Sequence, residues 1–276
     1  MRNLLSAGFT RLWRNKPLWL SCALLASLIV NAIWNYYSAG IKYGAHSRID
    51  TAFRYCVPFI PILISVVCAL FIGVDYAHGT IRNKVVCGHS RGSVYLSNLI
   101  LCSAASLIIC TAVMVSGLGL GLPLLGGFAM GWSGAVLFFI GIYTLSLAWA
   151  ALFTLLAMLI NSRTVSAVAA LLLSLALVMA GAYLEGRLEA QPTIQSYTIT
   201  VSGGLELAEE QPNPAYLPDG PVRDVFQFLS DFTPGGQTVQ HSKTANRPEV
   251  LMAYDATLFI LSTAAGLFLF KRKDLK

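Results

Sequence analysis

Residues 132–160 read WSGAVLFFIGIYTLSLAWAALFTLLAMLI, without one charged side chain. A helix of about 20 apolar residues crosses the hydrocarbon core of a bilayer. Five other stretches qualify in the same way, at 18–37, 56–74, 96–122, 165–184 and 250–270. Some exceed the minimum and have room to tilt or to run past the membrane surface. Trp19, Trp34, Tyr36, Tyr37, Trp132 and Tyr183 fall near the ends of these stretches, where amphipathic rings favour the interface. The composition agrees. Of the 276 residues 56% are hydrophobic and only 12% charged, against about 25% charged in a soluble domain. A soluble fold of this length cannot bury that much apolar surface and keep a wettable exterior. An ordinary cytosolic enzyme, a disordered chain and a nucleic-acid binder are thereby excluded. What remains is an all-α integral membrane protein of six transmembrane helices, forming a single transmembrane domain over 1–276.

The charges orient these spans. Counted by alternate connection, one side holds twelve basic residues and two acids, and the other holds seven basic residues and ten acids. Basic residues stay in the cytoplasm, so both termini and the loop at 75–95 are expected inside, with a long polar segment at 185–249 outside. The formal charge of +6 thus sets topology and gives no reason to invoke nucleic acid. The six cysteines form no C-x-x-C pair and read mainly as small buried hydrophobes. In residues 1–17, Leu5, Phe9, Leu12 and Trp13 follow i, i+4, i+7, i+8 spacing. This predicts a helix lying in the interface and stopped by Pro17; the plainer alternative is a basic flank that only fixes topology.

The most informative connection lies between the second and third spans, at 73–91: GVDYAHGTIRNKVVCGHSR. Ile81, Val85 and Val86 can form the apolar face of a short helix between Gly79 and Gly88, with Arg82, Asn83 and Lys84 turned elsewhere. Such a helix is a knob for a soluble partner; a solvated loop that merely holds topology is the bland alternative. Gly73, Asp75, Tyr76, Gly79, Thr80, Arg82 and Asn83, followed by Gly88, Ser90 and Arg91, resemble the pattern G-x-[ED]-Y-x-x-G-T-x-R-N…G-x-S-R of the membrane subunit of type 2 ABC exporters. The six spans, the interfacial first helix, the polar segment before the last span and the basic end of the chain fit the same family. One departure is Asp75, where Glu is commoner, which shortens the carboxylate by a methylene.

The resemblance implies a permease in the bacterial cytoplasmic membrane, with both termini cytoplasmic. It implies a second permease copy or close paralogue, and an ABC ATPase subunit as a separate chain in two copies. The loop would be the coupling helix, docking through Asp75, Gly79, Thr80, Arg82, Asn83, Lys84, Gly88, Ser90 and Arg91; Asp75 pairing with Arg82 or Arg91 would hold it in shape. ATP and Mg would sit on the partner subunit, with no cofactor on this chain. The cargo would be a peptide, an antimicrobial or another amphipathic molecule moved outward. A non-transporting sensor or scaffold, and an ion-coupled transporter using Asp255, are the competing readings.

Nothing in the chain hydrolyses ATP by the P-loop route, because it contains no Gly-Lys dipeptide. Two glycine pairs, at 203–204 and at Gly235-Gly236, superficially resemble an ABC signature loop but fall in the external segment. The four histidines form no H-E-x-x-H, and no nucleophilic triad stands out. Within the spans, Asn31, Asn35 and Asp255 are candidates for a translocation path or for helix packing, Asp255 having Arg54 as a possible partner. Gly117 and Gly121, Gly127 and Gly131, and the series Ser166, Ala170, Ser174 read as close-packing positions. In the external segment, 197–201 is β-prone. Val222, Val225, Phe226, Leu229 and Phe232 form a helical apolar stripe that ends at Thr233-Pro234-Gly235-Gly236. That helix is expected to rest on the membrane or to cap the path.

Overall fold

The computed structural model describes every residue except 1, 45–46, 195–196, 200–204, 208–209, 244–246 and 274–276. Six of its helices are long and apolar enough to cross a membrane: α2 (Lys16–Tyr43), α4 (Phe59–Ala77), α6 (Arg91–Leu125), α7 (Gly131–Leu159), α8 (Arg163–Leu188) and α11 (Pro248–Arg272). They are the six anticipated spans, extended by a few residues at most ends. Around them stand α1 (Arg2–Trp13), α3 (Ile49–Cys56), α5 (Thr80–Val86), α9 (Pro221–Phe232) and α10 (Pro234–Ser242). Alternation of the spans puts α1, α5 and the end of α11 on one face, the basic face, and α3, α9 and α10 toward the other.

Local chemistry sets these boundaries. Proline opens α2, α9, α10 and α11, where its missing N–H is no loss. Asn15, Ser90, Ser162 and Thr233 cap α2, α6, α8 and α10 by accepting a first-turn N–H. The break after α1 therefore falls at Arg14–Asn15, and Pro17 starts the next helix instead of stopping the first. The core is built where α2 packs on α6, α4 on α7 and α8, and α7 on α11. Trp149, Tyr95, Phe71 and Phe153 are fully buried there. Gly117 and Gly121 give α6 its close approach to α2 and α3: a Cβ at Gly117 would stand 2.5 Å from the Phe53 ring, and one at Gly121 2.6 Å from Ile49. Gly127 meets nothing within 4 Å and Gly131 has φ +73°, so that second pair serves the turn between α6 and α7, not packing. Ser166, Ala170 and Ser174 are all buried.

The segment before the last span differs from expectation. Helix α8 continues to Leu188, so the segment begins later than 185. Two short antiparallel ribbons follow, Thr193–Ile194 with Gln211–Pro212 and Tyr197–Ile199 with Leu205–Leu207. The glycine pair at 203–204 lies outside the described residues. Thr233-Pro234 does not end the helical region; it turns the chain from α9 into α10, which is buried against α8, α7 and α3. Gly235 lies against Leu177, eleven residues before the end of α8, roughly 16 Å along the helix at 1.5 Å per residue. A Cβ on Gly235 would fall 1.9 Å from the Leu177 carbonyl oxygen, and one on Gly181 2.4 Å from Gly235. These glycines record two backbones in contact. Helix α9 turns part of its apolar stripe outward. Its stripe residues Val222, Val225 and Leu229 are exposed, while Ser230 and Asp231 are buried.

Candidate coupling site

Helix α5 is the anticipated short helix. Gly79 (φ 65°) and Gly88 (φ 88°) occupy left-handed turns at its two ends, a conformation that costs glycine little. Ile81 is buried and Val85 partly so, but Val86 is 78% exposed, so the apolar face is narrower than the sequence suggests. Ser90 caps α6 by accepting from the Ser93 N–H at 3.2 Å. Most of the loop motif thus builds the turn–helix–turn itself.

Asp75 holds this unit to its surroundings. It lies in the last turn of α4 at 1% exposure, and its two oxygens accept from Arg11 Nη1 and from Lys84 Nζ, the latter at 2.9 Å. The expected pairing with Arg82 or Arg91 is not formed. Lys84 is one turn along α5 from Thr80 and points back to α4, and Arg11 reaches across from α1, stacking its guanidinium 4.0 Å from the Phe71 ring centroid. A buried carboxylate needs such partners, because desolvation otherwise disfavours its charge. One acid therefore ties α1, α4 and α5 together. Arg11 was missed because nothing local in a sequence relates an arginine in the first helix to an acid in the fourth.

Arg91 has a different task. Its Nη1 donates to the carbonyls of Lys271 and Lys273, completing acceptors that the end of α11 leaves open. Lys273 Nζ donates to Tyr76 Oη (2.9 Å) and to the Met158 carbonyl (2.8 Å), and Tyr76 Oη donates to that same carbonyl. The ends of α4, α6, α7 and α11 are thereby stitched beside α5. Burial pulls the Lys273 ammonium down to about 8. With these contacts assigned, the side chains of Arg82 and Asn83 remain exposed and, among the described residues, without a hydrogen bond or ion pair.

The intramembrane candidates separate from this site. Asn31 and Asn35 are exposed on α2 and bonded to each other, Asn35 Nδ2 to Asn31 Oδ1 at 2.9 Å. Asp255 is 1% exposed, and its hydrogen bond comes from Thr144 of α7 at 2.9 Å, not from Arg54. The expected link to Arg54 is thus replaced by a helix-to-helix bond. Among the described residues no group of three His, Cys, Asp or Glu side chains could hold a metal.

The chain thus has six candidate spans with a short, braced helix between the second and third. The chain belongs to the ABC-2 family transporter proteins, whose family pattern matches residues 4–181, well over half of it. It is therefore a multi-pass membrane subunit of an ABC transporter, and membership implies an ABC ATPase subunit as partner. No curated protein matches the chain.

Proposed function

We propose that the chain is the permease of an ATP-driven exporter, carrying a peptide, antimicrobial or other amphipathic substrate outward across the bacterial cytoplasmic membrane. Its basic face is cytoplasmic. Two ATPase subunits, each holding ATP and Mg, act on two permease copies through α5. The observation that carries this reading is a seven-residue helix whose Arg82 and Asn83 side chains face solvent while Lys84 ties it to Asp75 of α4, the acid that Arg11 of α1 also grips. Force delivered to such a helix moves the spans as rigid bodies, because packed elements shift between discrete arrangements rather than deform. The limited burial of α8 and α11 within one chain, 22% and 17% of their most apolar windows, supports a second copy or lipid against them.

The test is co-purification. Wild-type permease brings down its ATPase and stimulates ATP turnover in lipid. Arg82→Glu, which reverses charge on the exposed face without touching the Asp75 contacts, abolishes association. Retained association and turnover in Arg82→Glu refute docking through α5.

A further inference from the structure

A cavity of about 600 Å3 opens beside the clamp, where α1 and α4 meet the starts of α2 and α8. Arg11, Arg14, Lys16 and Arg163 form its polar rim, and no carboxylate lines it. Its apolar floor is Leu70, Phe71 and Val74. Asp75 is shared between Arg11 and Lys84, so it offsets at most one of these cations and leaves the rim strongly positive. Arg11 Nε and Nη2 have no hydrogen-bond partner. The start of α8 at Arg163 packs directly on Gly73 of α4: a Cβ there would stand 2.9 Å from the Arg163 Cα. Exposed Trp13 and Trp19, packed edge to face at 5.1 Å, flank Arg14 and Lys16 in the sequence and mark the depth of the bilayer interface.

A positive rim over an apolar floor at the membrane surface selects an anion carried on hydrocarbon. We propose that this cavity holds the phosphate of an anionic phospholipid from the leaflet on the basic face, with the first acyl carbons along Leu70, Phe71 and Val74. A choline lipid would bring its quaternary ammonium into the positive rim. A free phosphate would gain nothing from the floor. The site differs from the docking surface, since neither Arg82 nor Asn83 lines it, and does not depend on the identity of the cargo.

The test uses the purified permease in nanodiscs of equal phosphatidylglycerol and phosphatidylcholine, released into detergent and read by native mass spectrometry. Wild type retains phosphatidylglycerol over phosphatidylcholine by on the order of tenfold. Combined Arg14→Gln, Lys16→Gln and Arg163→Gln removes that preference, while Lys271→Gln with Arg272→Gln on the same face leaves it. If the triple variant fails to fold, Arg14→Gln and Lys16→Gln singly each lower the preference severalfold. Equal retention of both lipids by wild type, or unchanged preference in these variants, overturns the proposal. Displacement of the lipid adduct by millimolar glycerol 3-phosphate overturns it in favour of a soluble phosphate ligand.

Discussion

Asp75→Asn is the sharpest perturbation of the candidate coupling site, because it removes a charge while keeping the side chain's shape. Removing one partner of a buried ion pair costs about 3–5 kcal/mol when both charges are fully desolvated. Here the acid is 1% exposed but Arg11 and Lys84 are 32% and 21% exposed, so water recovers part of that cost. The asparagine also keeps one carbonyl oxygen as acceptor. The expected loss is about 1–2 kcal/mol, with a larger loss of up to about 3 kcal/mol for Asp75→Ala. A double-mutant cycle with Arg11→Gln isolates the pair, and about 1 kcal/mol of coupling is expected between residues in direct contact. The assay is unfolding in mixed micelles with increasing denaturing detergent, run beside ATPase stimulation by the partner subunit. Association should survive, since Arg82 and Asn83 are untouched, while stimulation falls. Strict additivity of Arg11→Gln and Asp75→Asn, or full stimulation in Asp75→Asn, would refute the view that this acid binds α1 to the docking helix.

Three other outcomes follow from particular contacts. Gly235→Ala should destabilise the chain by about 3 kcal/mol or more, since its Cβ meets backbone that cannot yield, 1.9 Å from the Leu177 oxygen; Gly119→Ala, with nothing within 4 Å, is the matched control and should be neutral in the same unfolding assay. Lys273 holds its proton to about 8 when folded against 10.5 ordinarily, so the unfolded chain binds more protons between those values and stability rises with pH across that window; thermal unfolding from pH 7.5 to 10.5 should show this rise in wild type and a flatter profile in Lys273→Met. Cys87 is exposed while Cys22, Cys56, Cys68, Cys102 and Cys110 are buried, so a membrane-impermeant maleimide should label the protein in inverted vesicles and not in intact cells; labelling of intact cells reverses the proposed orientation.

The parts of this fold that the sequence reveals are those fixed by one-dimensional physics. Six spans follow from apolar length alone, and α5 follows from Gly79 and Gly88, which bracket it and stop a longer helix. What escaped reading depends on contacts between distant residues. Helix α10 has no amphipathic signature because it is buried on most sides, and its opening Pro234-Gly235-Gly236 looks like an ending. Here the same glycines instead admit a second backbone, as Gly181 against Gly235 shows. Helix α3 is short, and its apolar residues Ile49, Ala52, Phe53 and Cys56 sit beside charges that read as a simple external loop. Asp75 was found and its partners were not, because Arg82 and Arg91 were nearer in sequence than Arg11.

That misassignment bears on how α5 can transmit force. A seven-residue helix is far below the length at which an isolated helix holds itself together in water, so α5 exists only through its ties: the two glycine turns, the burial of Ile81, and the bond from Lys84 to Asp75. Had Arg82 paired with Asp75, the most exposed cation of the helix would be turned inward and docking would compete with folding. With Lys84 in that role, the same helix presents one side to α4 and another to solvent. The acid that stabilises the knob is also the one that grips α1 through Arg11, while Arg91 and Lys273 fasten the following span to the end of α11. On the proposed docking through Arg82 and Asn83, a push on α5 passes by way of Asp75 to α4 and α1, and loosening Asp75 should uncouple the push from the spans before it releases the partner.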